Sequence, residues 1–188
     1  MKWIFLSFFT LIVWVGIYLY VYLGFSEMVE VSLSQSPPVA LIYVRHLGAY
    51  HKINESLTKI EQSLEKKGLQ CSKTFGEFLD NPIDVSEDRL TSHVGCLFQV
   101  SEGSPVAEKG GRLETLAKEL GFEFESRSSQ SVIKASFKGS PSIGPFKVYP
   151  KIDEMIQDLR RARSGPLMEI YEIKGDQVLT TYIQPIKD

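Results

Sequence analysis

The chain has 188 residues, 21 Lys+Arg against 23 Asp+Glu, and a formal net charge of −2. A balance this close to neutral, with no block of like charge, leaves no electrostatic footprint for nucleic acid or for an anionic lipid surface. His46, His51, His93, Cys71 and Cys96 show no metal-ligand spacing, and the glycines follow no phosphate-binding pattern, so neither a metal nor any other cofactor is expected.

The N-terminal segment is the strongest single signal. From Trp3 to Leu23 there is no charge, and only Ser7, Thr10 and Gly16 interrupt the apolar and aromatic run. About twenty such residues, rising 1.5 Å each, match a bilayer core of roughly 30 Å. Residues 1–26 therefore read as one uncleaved transmembrane anchor. A signal peptide cut near Gly24-Phe25-Ser26 is the alternative, although its apolar stretch would be only about 7–15 residues. A buried core helix fits less well, because the run is apolar on every face. Lys2 precedes the span and no basic residue follows before Arg45, which places the body of the chain on the far side from the cytoplasm. That means extracytoplasmic in a bacterium and ER-associated in a eukaryote.

Residues 27–38, serine-rich and closed by Pro37-Pro38, read as a linker to a domain over 39–188. Val39–Val44 is a continuous apolar run of strand length. Ile53, Leu57, Ile60 and Leu64 then share one helical face, and Lys66-Lys67-Gly68 supplies the stop. Strands are predicted over Leu69–Leu79, ending at Asp80-Asn81-Pro82, and over Ser92–Val100. A helix over Arg112–Leu120 and a short strand at Phe122–Phe124 follow. The remaining prediction is a strand at Val132–Lys138, a helix at Tyr149–Arg163, and two strands, Leu167–Ile173 and Val178–Ile186, around Gly175-Asp176. Cys71 and Cys96 permit one disulfide at most, and they read as two inert core thiols.

The order of elements is β-α-β-β, an extra helix and short strand, and β-α-β-β again. This predicts an α+β domain of tandem β-α-β-β units related by a pseudo-two-fold, with a cleft where their sheets meet, behind one N-terminal transmembrane helix.

Within Leu167–Ile173, a period of two puts Leu167, Glu169, Tyr171 and Ile173 on one face. Glu169 is then a lone carboxylate among aliphatic and aromatic neighbours. If the strand is central, desolvation raises its pKa, as is common at functional sites; if it lies at an edge, Glu169 is merely solvated. Asp80-Asn81-Pro82 reads as a turn and Tyr50 as a staple aromatic. Tyr43 and Tyr182 sit in strands and could line a cleft, and Arg45-His46 marks an exposed strand end. Ser126–Ser131 lacks the nucleophile-elbow pattern of a hydrolase.

Four segments in order, Tyr43-Val-Arg-His-Leu-Gly-Ala-Tyr50, Phe78-Leu-Asp-Asn-Pro82, Met168-Glu-Ile-Tyr171 and Tyr182-Ile-Gln-Pro-Ile186, resemble the GyrI-like small-molecule-binding family. That family is related to the effector-binding domains of multidrug-sensing transcription regulators. Taken with the apolar segment, the chain is similar to a membrane-anchored ER-phagy receptor carrying such a domain, with Val94-Gly95, Ser101-Glu102-Gly103 and Gly121-Phe122 as further points of likeness. The resemblance implies a pocket between two β-α-β-β units with Glu169 at its base, facing cationic aromatic ligands. It implies Glu169, Tyr171, Tyr43, Tyr50 and Tyr182 as ligand-binding residues. The expected function is non-catalytic binding of a small hydrophobic or cationic ligand at a membrane. The alternatives are a protein-interaction platform at the membrane, and a hydrolase of cyclopropane-type electrophiles using Glu169 with Tyr171. The domain beyond Phe25 holds no tryptophan, so stacking on a ligand rests on Phe and Tyr.

Overall fold

The apolar run forms one helix, α1 (Lys2–Tyr22), whose side chains from Ser7 to Tyr22 are all exposed. Apart from Tyr20, which stacks on Phe25 just beyond the helix, the stretch is open along its length, which removes the core-helix reading. The computed structural model describes residues 2–100 and 110–187. Among the described residues no helix is long and apolar enough to cross a membrane.

Eight strands form one antiparallel sheet: β1 (Glu30–Gln35), β2 (Val39–Leu47), β3 (Thr74–Phe78), β4 (Thr91–Gln99), β5 (Glu123–Arg127), β6 (Ser131–Lys138), β7 (Met168–Lys174) and β8 (Gln177–Pro185). Their order across the sheet is β1-β6-β8-β7-β3-β4-β2-β5. With α2 (Ile53–Glu65), α3 (Gly110–Leu120) and α4 (Gly144–Asp158), the two units are β2-α2-β3-β4 and β6-α4-β7-β8. They meet at β3 and β7, paired from Thr74↔Tyr171 to Glu77↔Met168. The expectation of two sheets meeting at a cleft thus gives way to one continuous sheet.

The linker reading of residues 27–38 is corrected too. Glu30–Gln35 is a strand paired with β6 over six residues, adding an outer strand to the second unit just as β5 adds one to the first. Of its two alternating apolar residues, Val31 packs against the core beneath α4 and Leu33 is left exposed, as befits an edge strand.

All three domain helices cover one face. Ile60 and Leu64 of α2 join Leu113 and Ala117 of α3 over Ala40, Ile42, Cys96 and Phe98, while Val148 and Ile152 of α4 pack on Ile133, Ala135, Phe137 and Tyr182. On the opposite face, Leu41, Tyr43, Phe75, Leu97, Met168 and Ile170 form a second core. That face also buries Glu77, whose carboxylate accepts two hydrogen bonds from Arg127, at 2.7 and 3.1 Å. Arg127 also holds Glu125, and His93 stands 3.4 Å from Glu77.

Two further expectations change. Cys71 and Cys96 are joined in a disulfide, not left as free thiols. The second-unit helix starts at Gly144 rather than Tyr149, with Pro145 in its first turn and Pro150 carried inside. A proline fits the first turn because its missing N–H would have no partner there, and the helix ends at Asp158 rather than Arg163.

Candidate functional site

Because α2 lies over one unit and α4 over the other, the central strands β3 and β7 are left without a helix above them. The result is a cleft of about 1680 Å³ with β3 and β7 as its floor, larger than the roughly 300–1,000 Å³ of a typical drug-sized pocket. One wall is α2, through Ile53, Leu57 and Glu61, and the other is α4 with the segment before it, through Pro141, Phe146 and Tyr149.

Glu169 sits in the middle of the floor, only 2% exposed. The residue opposite it on β3 is Gly76, and the space a side chain there would take is bordered by the Phe78 ring and Ile53, an apolar edge beside the carboxylate. Its Oε1 accepts a hydrogen bond from the Tyr149 hydroxyl at 2.5 Å, and its Oε2 accepts one from Tyr171 at 2.9 Å. Burial pushes the carboxyl above the ordinary carboxylate value, and the two phenol hydrogen bonds offset this only in part. The same burial, reinforced by the neighbouring carboxylate, raises the pKa of both phenols, so they remain donors across the physiological range.

Among the described residues no basic side chain pairs with Glu169. The cleft as a whole is acidic: Glu61, Asp80, Asp153 and Glu169 line it, while its arginine, Arg163, is bound to Asp153. The field inside therefore favours a cation, and its walls favour an apolar body.

Of the residues singled out from the sequence, Glu169, Tyr171 and Tyr50 line the cleft. Tyr50 is also a staple: its hydroxyl donates to the Asp80 carbonyl at 2.7 Å and accepts from the Asp80 N–H at 3.0 Å. Asp80-Asn81-Pro82 does act as a turn, with Asn81 Oδ1 accepting from the Ile83 N–H. Tyr182 lies beneath the lining, fully buried, with its ring edge-on to Tyr149 at 6.0 Å. Tyr43 is on the far side of the sheet, against Phe75 and His93, and does not reach the cleft. Burial there, then the charges of Glu123 and Glu125, push its phenol up to about 12. Tyr149 was missed by the sequence reading. Its signal was the spacing Tyr149, Ile152, Ile156, which places the phenol on the apolar stripe of α4. Ser101-Glu102-Gly103 lies outside the described residues.

No family model matches the sequence, and a search of curated proteins finds no relative. Solved structures do match. The C-terminal domain of EcmrR superposes with a TM-score of 0.62 at 15% identity, covering 85% of this chain and 98% of that one. EcmrR in a DNA complex gives 0.60 at 13% identity, covering 92% and 64%. A hydrolase from Listeria innocua gives 0.52 at 11% identity, covering 84% and 92%. The chain shares its fold with the EcmrR C-terminal domain, an α+β architecture with one antiparallel eight-stranded sheet.

Proposed function

We propose that this chain is a membrane-anchored GyrI-like module that binds an apolar cation in the cleft between α2 and α4 without transforming it. The observation that carries the reading is Glu169: a nearly inaccessible carboxylate on an apolar floor, held by two phenols and, among the described residues, without a basic partner. A buried unpaired carboxylate costs folding free energy, and a bound cation would supply the missing partner. Tyr171 and Tyr149 orient the carboxylate, and the apolar walls supply most of the contact area.

Two observations support the anchor and its orientation. The α1 helix exposes apolar side chains on all sides along 7–22, which is stable only against another apolar medium. The Cys71–Cys96 disulfide suits an oxidising compartment, as does the far side from the cytoplasm inferred from Lys2. The membrane span, its orientation and the ligand-binding roles of Glu169, Tyr171, Tyr149 and Tyr50 belong to this proposal.

The test is calorimetric titration of the full chain in detergent with tetraphenylphosphonium and a neutral analogue, triphenylphosphine oxide. Saturable binding of the cation, with much weaker binding of the neutral compound, is expected. Absence of binding across a panel of apolar cations overturns the reading. Co-purification of a stoichiometric protein partner indifferent to Glu169 would then favour an interaction platform.

The raised carboxyl pKa favours one second reading, in which Glu169 acts as general base on a water while a tyrosine steadies developing charge. Turnover of cyclopropane-type electrophiles, followed by mass spectrometry and lost in Glu169→Gln, separates catalysis from binding.

A further inference from the structure

The end of α1 is built into the domain. Gly24 has φ +85° and Gly139 φ +150°, and the two backbones cross so closely that a Cβ on Gly24 would stand 2.7 Å from Phe137 Cζ and 2.8 Å from the Lys138 carbonyl. Such conformations at such an approach require glycine on both sides. The Ser140 N–H donates to the Leu23 carbonyl at 3.2 Å. Lys147 Nζ donates to the carbonyls of Gly24 (3.2 Å), Phe25 (2.7 Å) and Glu27, so one ammonium gathers the chain leaving the helix. Nothing here resembles a free tether.

The segment gripping the chain just past α1 also forms one end of the cleft. Pro141, Ser142 and Phe146 line the cleft and lie between Ser140 and Lys147, which hold the Leu23–Glu27 segment that follows α1. The Gly139 N–H donates to the Val178 carbonyl, and Val178 pairs with Ile173; both also line the cleft. At this end, and only a few residues from the anchor, Phe146 and Ile173 are each 80% exposed, with Met28 at 87%. Ile83, at the other end of the cleft, is as exposed at 89%, so it is the position of α1 and not exposure that distinguishes this end. The final turns of α1 carry Tyr18, Tyr20 and Tyr22, with Phe25 just beyond, the aromatic composition of a membrane–water interface.

We infer that this end of the cleft, at Phe146 and Ile173, sits in the lipid headgroup layer. The cleft thus opens at the bilayer surface and takes amphiphilic cations from the membrane rather than from bulk water. The inference rests on reading α1 as a membrane anchor. Given that reading, the glycine crossing and the Lys147 clasp fix which face of the domain meets lipid. The opposite end of the cleft, at Ile83, follows the far end of β3 and is held away from the bilayer.

The experiment uses the full chain in phosphatidylcholine vesicles, with quenching by lipids brominated along their acyl chains. The wild type reports on α1 through Trp3 and Trp14, the only tryptophans. In a Trp3→Phe/Trp14→Phe background, Phe146→Trp, Ile173→Trp and Ile83→Trp each provide one probe in the domain, with circular dichroism to confirm folding. The expected result is that emission falls by about half for Phe146→Trp and Ile173→Trp and is unchanged for Ile83→Trp. Quenching of the wild type with neither Phe146→Trp nor Ile173→Trp affected overturns the inference and leaves the anchor standing. Equal quenching at Ile83 also overturns it, since the domain would then lie in no fixed orientation. An unquenched wild type refutes the anchor itself.

Discussion

Replacing Glu169 with glutamine keeps the size of the side chain and removes its charge. In the folded protein the carboxylate is 2% exposed and 2.5–2.9 Å from two phenols. A cation about 5 Å from it, at an effective dielectric of about 20, gains about 3 kcal/mol. Desolvation takes back part of that, and losing one contact to a charged group ordinarily registers as about 1.5–3 kcal/mol. Glu169→Gln should therefore weaken tetraphenylphosphonium binding by roughly 10- to 150-fold, and leave triphenylphosphine oxide nearly unaffected. The pH profile gives a second readout. Burial raises the Glu169 pKa above that of an exposed carboxyl, so cation binding should strengthen as pH rises through the folded-state value. Stability should move the other way. A carboxyl whose pKa is raised on folding contributes stability below the unfolded pKa, near 4.5, and loses it as pH climbs through the folded pKa. In that window the wild type should lose ground relative to Glu169→Gln. Calorimetry from pH 4 to 8 with denaturant midpoints measures both trends. Equal cation affinity in wild type and variant, or parallel pH profiles, refutes the role given to this carboxylate.

Tyr149→Phe removes the donor to Oε1; it should shift the midpoint of pH-dependent cation binding upward and cost about 1–2 kcal/mol of stability by guanidinium melts. An unmoved midpoint would mean that the phenol does not support the charge. The disulfide closes a loop of 25 residues, so Cys71→Ser with Cys96→Val should lower stability by about 3 kcal/mol. Reductant should do the same to the wild type and nothing further to the variant. Gly144→Ala would place a Cβ 2.0 Å from Tyr182 Oη and 3.2 Å from Phe137 Cδ1, lifting the start of α4 off the sheet at a cost of about 1–3 kcal/mol. Gly111→Ala, in α3 with nothing within 4 Å, should instead stabilise by about 0.5–1 kcal/mol. If both glycines respond alike in denaturant midpoint, the packing argument fails.

Much of this architecture was legible because its elements announce themselves locally. Ile53, Leu57, Ile60 and Leu64 are the buried residues of α2, as their spacing requires. Glu169 could be placed opposite Met168 and Ile170 because a strand alternates its faces. The same logic failed for Tyr43, since β2 is covered on both sides: Ala40 and Ile42 face the helices, Leu41 and Tyr43 the second core. Where both faces are apolar, the alternation that would assign a side disappears. The pairing of Cys71 with Cys96 and the bond from Tyr149 to Glu169 are contacts between separate elements, which no local pattern encodes. β1 was hidden by its serines and by Pro37-Pro38, although Val31 and Leu33 carried the period of two.

The tandem repeat accounts for the position of the site, and the departures from it account for the chemistry. Two β-α-β-β units joined through β3 and β7 put a helix over each half and none over the seam, so the backbone alone produces a central groove. Across that seam the side chains are unlike: Glu169 and Tyr171 on β7 stand opposite Gly76 and Thr74 on β3. One strand supplies the carboxyl and its donor while the other supplies no second acid, so the proposed cation would meet a single carboxylate rather than a mutually repelling pair. An apolar residue in place of Glu169 would relieve the cost of its burial, as replacement of buried charges often does. A carboxylate held at that cost, oriented by phenols from two elements, is what the proposed role as a cation's partner would explain.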